Sequence, residues 1–320
     1  MIGSGMPRTG VVIVTYNSEG MIERCLESCG NLPVVVVDNA SEDATRELVP
    51  RERVRLIANP ANYGFARAVN QGVTALDTEL ILLLNPDAEL QTPLEDLEAA
   101  CLREGTGLAA GQLTNEKGQP QRGFALRRFP TAPALMLEVL GVNRLVPLNP
   151  INRWYRCLNQ DLSKPAEAEQ PAGAFLMFRR EVWHRLGGFD TQFYPLWFED
   201  VDFCKRAHEL GLKIQYVPQV TAIHQGGHSI AGLGWECREV YWYASLLKYA
   251  SKHFRPLAFR WVSAAVVLGS LLRTMVGVLN RRSLRPVKLY AGIGRLACCS
   301  FISGSAGELK CSGSAKAVGE

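Results

Sequence analysis

Four apolar runs in the first 90 residues, each ending on a cluster of polar residues, restrict this chain more than any other feature. Val11–Val14 leads into Thr15, Tyr16 and Asn17, and Val34–Val37 into Asp38, Asn39 and Ser41. Val54–Ala58 leads into Asn59, Asn62 and Gly64, and Leu80–Leu84 into Asn85, Pro86 and Asp87. Runs such as Val34–Val37 do not alternate with polar residues, the pattern of strands covered on both faces. Helix-like stretches lie between them at Met21–Cys29, Glu42–Leu48, with Ser41 as N-cap, and Ala66–Leu76. Strands separated by helices at this spacing predict βαβ units and a mostly parallel α/β sheet. Ligands of such sheets sit beyond the carboxyl ends of the strands, so the four polar clusters are expected to converge on one edge.

Two strand-end carboxylates stand out. Asp38 can accept hydrogen bonds from a base or ribose hydroxyl, or it can start an Asx-turn. Asp87 is a natural ligand for a hard cation next to a diphosphate, since magnesium takes one or two carboxylates plus substrate phosphates. The second half is expected to hold a strand at Gly173–Phe178, a helix from Arg180, a helix over Glu199–Leu210, short strands at Ile214–Val217 and Thr221–His224, and a helix over Glu236–Phe254. Residues 115–170 are expected to be loop-rich. Glu199, Asp200 and Asp202 open one helix directly after aromatics. Asp202 suits an i,i+4 bridge to Arg206. Glu199 and Asp200 repel each other, and crowded carboxylates have raised pKa values that suit a general base. His224 and His228 flank a glycine pair, and His224 at a strand end can reach a metal; His184, His208 and His253 look like ordinary histidines.

Several chemistries are disfavoured. No HExxH or clustered His/Cys pattern is present, nor a GxSxG elbow or a GxxxxGK[ST] phosphate loop. The nine scattered cysteines read as reduced, buried thiols. Gly10–Val14 is too short for the apolar core of an export signal and reads as a strand. The net charge of +4 conceals a split: Lys252–Arg295 holds nine Lys or Arg and no acid, and the chain before it is near −5. An anionic membrane, not a nucleic acid, is the expected partner of that basic region. Trp261–Asn280 approaches spanning length but is interrupted by Arg273, so a helix lying on the bilayer is expected, with a buried helix as the alternative.

Val12-Ile13-Val14-Thr15-Tyr16-Asn17, Val36-Val37-Asp38-Asn39-Ala40-Ser41-Glu42-Asp43, Asn62-Tyr63-Gly64-Phe65-Ala66-Arg67 and Leu83-Leu84-Asn85-Pro86-Asp87-Ala88 resemble family 2 glycosyltransferases, and within them the rhamnosyltransferase-like branch. Gly173-Ala174-Phe175 to Phe189-Asp190, Phe198–Asp202 and His224 continue the pattern in order over residues 10–250. The resemblance implies a GT-A fold, with a catalytic domain over 8–250, a basic, apolar helical region over 251–300 that associates with membranes, and a disordered tail over 301–320. It implies that Thr15, Tyr16, Asn17, Asp38 and Asn39 line a nucleotide pocket, that Gly64 lets the donor approach the backbone, and that Arg67 and Asn85 face the donor. Asp87 would bind Mg2+ or Mn2+, helped by His224, because the family's DxD motif here reads Asn85-Pro86-Asp87. Asp200 would be the general base of an inverting transfer, with Glu199 as fallback. The donor would be a nucleotide diphosphate sugar and the acceptor a glycan or lipid-linked glycan, at the cytoplasmic face of the membrane. A sugar nucleotidyltransferase is the nearest rival, but Thr15-Tyr16-Asn17-Ser18 lacks the Gly-rich basic loop that grips a triphosphate. A non-catalytic relative is the other, and intact Asp38, Asp87 and Asp200 argue against it.

Overall fold

The computed structural model describes residues 8–226 and 233–309; His228 and the end of the expected tail lie outside the described residues. The first half contains β1 (Thr9–Thr15), α1 (Ile22–Ser28), β2 (Val34–Asp38), β3 (Val54–Ala58), α2 (Phe65–Ala75), β4 (Leu80–Leu84), β5 (Ala88–Leu90), α3 (Glu95–Cys101) and β6 (Thr106–Thr114). A connecting segment follows with β7 (Leu126–Arg127), α4 (Ala132–Val139), α5 (Val142–Leu145), α6 (Pro150–Tyr155), β8 (Ala166–Ala168) and β9 (Gln170–Pro171). The second half contains β10 (Phe175–Arg179), α7 (Arg180–Leu186), α8 (Glu199–Glu209), β11 (Lys213–His224), α9 (Trp235–His253), α10 (Pro256–Arg281) and α11 (Arg285–Ser303).

The main sheet runs β3-β2-β1-β4-β10-β6-β11-β5, with β8 on β11. Strands β3, β2, β1 and β4 are parallel, as the apolar runs predict. β10 enters antiparallel between β4 and β6, so the far half of the sheet is mixed. The period of two along each strand divides the apolar side chains between two layers. Val11, Ile13, Val34, Val36, Leu82 and Leu84 pack under α1 and α3, against Ile22, Leu26 and Leu97. Val12, Val14, Val35, Val37, Ile81 and Leu83 pack under α2 and α8, against Val69, Val73, Phe203 and Ala207. Gly72 of α2 is required there, because a Cβ would stand 2.5 Å from a Val12 methyl.

Several local expectations need correction. Glu42–Leu48 forms only a 3₁₀ turn at Ala44–Arg46, capped by Asp43 rather than Ser41, because Ser41 is committed to Asp38. The two short strands near 214–224 are one strand, β11, with a register shift between Val217 and Thr221. Residues 115–170 contain three short helices, capped by Thr131 and Asn149. Four free cysteines are buried, but Cys298 and Cys299 are exposed.

A third core joins the C-terminal helices to the body. Phe259, Val262 and Val266 of α10 pack with Tyr243, Leu246 and Tyr249 of α9, with Leu135 and Val139 of α4, and with Phe193 and Val201. Asp202 ties this layer to α8. It is fully buried and pairs with Arg206 at 2.7 Å, as its spacing predicts, and also with His253 at 2.8 Å and Lys252 at 2.7 Å. His253 is therefore an ion-pair partner rather than an ordinary histidine, and Lys252 faces the body. Burial pushes the Asp202 pKa up, but the His253 hydrogen bond and the Arg206 and Lys252 charges outweigh it, holding the carboxyl below its ordinary value of 3.8. A lowered folded pKa stabilises above the unfolded value, and that stability is lost as pH falls through the folded pKa. Asp202→Ala, which strands buried cations, is expected to cost about 3–5 kcal/mol in urea unfolding at neutral pH. The difference from wild type should shrink below pH 3.8.

Candidate active site

The strand-end residues of β1 and β2 form a connected lattice. Asp38 is fully buried. One oxygen accepts Thr15 Oγ1 at 3.0 Å and the Ser41 hydroxyl; the other accepts the Ser41 N–H at 3.0 Å and Arg46 Nε at 2.5 Å. A carboxylate has about four lone-pair sites, and all are taken. Asp38 thus takes the turn-forming role, engaged by four donors of this chain. Asn39 is likewise 3% exposed, with its amide donating to the Gly64 carbonyl and accepting from Asn59. Asn17, at φ 52, is held by Ser41 and accepts the Glu42 N–H. Tyr16 and Asn17 keep partial exposure at the strand end.

Gly64 caps α2 at φ 84, but the group that approaches it belongs to this chain. A Cβ there would lie 2.8 Å from the Tyr194 ring and 3.1 Å from the Pro195 carbonyl, which also accepts the Phe65 N–H. Tyr194-Pro195 is the close neighbour that requires a glycine here. Arg67 is exposed and stacks over Tyr63 at 4.4 Å.

The next group is built by a short strand pairing. β5 pairs antiparallel with the end of β11, placing Ala88 opposite His224, and the Gln225 N–H donates to the Asp87 carbonyl. His224 Nε2 consequently lies 3.4 Å from Asp87 Oδ1, with both residues buried. That oxygen makes no hydrogen bond. The histidine tautomer follows from its neighbours. Gln121 Nε2 donates to the His224 carbonyl at 2.6 Å, which turns Gln121 Oε1 towards His224 Nδ1 at 3.0 Å. An amide oxygen only accepts, so Nδ1 carries a proton, and a neutral ring would turn its Nε2 lone pair to Asp87. Phe124 stacks on the ring at 5.2 Å. A lone pair aimed at an unpartnered carboxylate oxygen fits a shared cation, and adjacent octahedral ligands with arms of about 2.1 Å stand about 3 Å apart. Among the described residues no third His, Cys, Asp or Glu joins them, which leaves the remaining positions for phosphate oxygens and water.

Asp200 lies across the same edge. The Asn85 N–H donates to the Ala174 carbonyl at 3.0 Å, and the adjoining Gly173 N–H donates to Asp200 Oδ2 at 2.9 Å. The Val201 N–H reaches Asp200 Oδ1 at 2.8 Å. Burial raises the Asp200 pKa, against those two N–H groups and the Arg127 charge, and the net direction is upward. Glu199 is pushed well above the ordinary value, first by burial and then by the charges of Asp200 and Asp202, and its Oε2 has no partner. Gln121, Phe124 and Gly173 complete the site; Gln121 and Phe124 lie in the stretch read as loop, with no periodicity to mark them.

A mostly parallel sheet with polar strand ends, a buried Asp87–His224 pair and a buried Asp200 across the same edge have the layout of a GT-A transferase. The family model "Glycosyl transferase family 2" matches residues 10–187, and "Glycosyltransferase like family 2" matches 159–257. The chain belongs to glycosyl transferase family 2 and is a glycosyltransferase. It is similar to N-acetylglucosaminyl-diphospho-decaprenol L-rhamnosyltransferase of Mycobacterium tuberculosis, 27% identical over 243 residues, or 68% of this chain and 76% of the relative. It is also similar to rhamnosyltransferase WbbL of Escherichia coli, 23% identical over 235 residues, 68% and 83% of the two chains. The fold is shared with a mannosyltransferase from Pyrobaculum calidifontis solved with GDP-Man and Mn2+, at TM-score 0.52 and 17% identity, covering 93% of this chain and 88% of that one.

Gln121→Leu removes the acceptor that fixes the His224 tautomer. Losing a hydrogen bond that orients a metal-holding histidine costs about 10–100-fold in metal affinity, so calorimetric titration with Mn2+ should show a decrease in that range with an unchanged melting temperature.

Proposed function

We propose that the protein is an inverting transferase that moves a sugar, rhamnose foremost, from a nucleotide diphosphate donor to a hydroxyl of a lipid-linked glycan in cell-envelope polysaccharide synthesis. The observation that carries this reading is the hydrogen-bonded link from Asn85, two residues before Asp87, through Ala174 and Gly173 to Asp200. It supports a cation-holding role for Asp87 and a base role for Asp200 on one edge. The names of the rhamnosyltransferase relatives support the sugar and the acceptor class.

Tyr16, Asn17, Arg67 and Asn85 are the groups left to meet the donor, on a wall held rigid by Thr15, Asp38 and Asn39. Asp87 and His224 would hold Mg2+ or Mn2+, whose charge would stabilise the departing diphosphate. Asp200 takes the proton of the acceptor hydroxyl, and its two N–H donors keep its free lone pairs aimed at that hydroxyl. The acceptor oxygen attacks the anomeric carbon opposite the leaving group, so the configuration inverts. Asp200→Asn is expected to lower turnover by about 10²–10⁴-fold with donor affinity retained. In wild type kcat/KM should climb with pH through a pKa above 3.8 as Asp200 loses its proton. A variant with wild-type turnover would remove Asp200 as base and direct the test to Glu199→Gln.

Helix α10 holds, within Pro256–Asn280, an 18-residue window of mean hydropathy 1.9, long and apolar enough to span, of which only 33% is buried. Its inner face fills the third core, while Leu257, Trp261, Leu268, Leu271, Met275 and Leu279 form an exposed stripe. Arg273, which interrupts the run in sequence, turns inward to the Glu138 carbonyl at 3.2 Å and leaves that stripe unbroken. Arg260, Arg282, Arg285, Lys288 and Arg295 are exposed around it. Leu145, Val146 and Leu148, after α4, are exposed as well. An amphipathic helix with this distribution lies on an anionic surface, each basic residue adding about 1 kcal/mol. The enzyme should sediment with anionic liposomes at low salt and be partly released at high salt. Leu268→Glu with Met275→Glu should keep it in the supernatant, and sedimentation that ignores both changes would contradict this reading.

A further inference from the structure

Two bulky residues directly before the candidate base sit where bulky residues are rarely found. Trp197 has φ 73 and Phe198 has φ 69, the left-handed region that a large side chain occupies only when its surroundings impose it. Phe198 is also the N-cap of α8, and its side chain gives the helix end no hydrogen bond, as Ser, Thr, Asp or Asn would. The first turn of α8, with Glu199 and Asp200, therefore takes its direction from what holds these two residues rather than from a capping side chain.

Two elements hold them. On one side the Pro195 carbonyl accepts the Phe65 N–H at 2.8 Å, at the start of α2, and Gly64 leaves room for the Tyr194 ring. On the other, Ser245 Oγ donates to the Leu196 carbonyl at 3.0 Å, and the Phe198 ring lies 6.5 Å from that of Trp242 and 5.4 Å from that of Tyr249. Trp242, Ser245 and Tyr249 are spaced i, i+3 and i+7, which is one face of α9, and both Phe198 and Ser245 are buried there. Residues 194–198 thus bridge the start of α2 and the C-terminal layer, and Asp200 follows two residues later. We propose that Trp197 and Phe198 are positioning residues: clamped in the left-handed conformation by the Trp242–Ser245–Tyr249 face of α9, they aim the Asp200 carboxylate at the Gly173 N–H and so at the acceptor hydroxyl. The proposal rests on the reading of Asp200 as base. Relaxation of either residue to an ordinary φ redirects the first turn of α8 and takes Asp200 away from Gly173.

Backbone conformation and ring contact make opposite forecasts at Trp197. Glycine adopts φ 73 freely, whereas valine, branched at Cβ, does not. Trp197→Val should lower kcat by about 10²-fold, the cost of misplacing a reacting group by roughly 1 Å, with nucleoside diphosphate affinity retained. Trp197→Gly deletes the same ring and should lose much less. Ser245→Ala, which removes one oxygen on α9, should lower kcat in the same direction, again with affinity retained. The acid limb of kcat/KM should move to higher pH in Trp197→Val and Ser245→Ala, because Asp200, already raised by burial, loses the Gly173 N–H that lowers its pKa. Glu199, Cys204 and Arg127 of β7 also act on or with that carboxyl, and all three lie outside residues 194–198 and α9. Exchange of the Gly173 amide, followed by NMR on protein carrying isotope-labelled glycine, should quicken in the same two variants. The proposal is overturned if Ser245→Ala leaves both the acid limb and Gly173 exchange at wild type, or if Trp197→Gly falls as far as Trp197→Val. Should Trp197→Val fail to fold, Ser245→Ala decides. Failure of the base reading looks different: Asp200→Asn would then turn over like wild type while Gly173 exchange still answered to Ser245→Ala.

Discussion

The site depends on the pairing of β5 with the end of β11. Only three residue pairs take part, Ala88 against His224, Glu89 against Ile223 and Leu90 against Ala222, but they bring Asp87 and His224, 137 positions apart, together. Without that pairing Asp87 would be one more turn carboxylate after a hydrophobic strand. With it, a buried oxygen lacking a hydrogen bond faces an imidazole lone pair 3.4 Å away. Buried polar atoms without partners are costly, and a cation shared between these two would relieve both.

Helix α8 distributes three neighbouring carboxylates to three tasks by direction alone. Asp202 points into the third core and is neutralised by Arg206, Lys252 and His253. Glu199 points into a dry environment that pushes its pKa well up. Asp200 points to the Gly173 loop, oriented by the Gly173 N–H and by the Val201 N–H of its own helix. One turn of helix thus anchors the C-terminal layer and presents the candidate base, so the α10 face and the catalytic edge are held in one relation. Gly173 matters for the same reason: a Cβ there would stand 3.0 Å from the Asp200 Cβ.

The parallel half of the sheet was legible because its strands are buried on both faces and read as unbroken apolar runs. Asp87, Asp200 and the Asp202–Arg206 pair were legible because strand ends and helix first turns put polar residues at defined places. The partners of Asp38, Asn39 and Gly64 were not. Whether a strand-end side chain faces a ligand or a neighbouring loop depends on partners such as Arg46, Asn59 and Pro195, which lie 8, 20 and 131 residues away. The antiparallel entry of β10 and the Gln121–His224 contact were hidden for the same reason: both are set by long-range packing, and single-sequence periodicity reports only local burial. Arg273 misled by appearing to interrupt a face from which it turns away.

The central claim is that Asp87, with His224, carries the cation through which the diphosphate is gripped. Linkage makes this measurable, since a metal that raises nucleotide affinity must have its own affinity raised by the same factor. Calorimetric titration of nucleoside diphosphate with and without Mn2+ should therefore show strong coupling in wild type, and the coupling should disappear in Asp87→Ala while the melting temperature holds. Equal coupling in the variant and wild type would contradict the account.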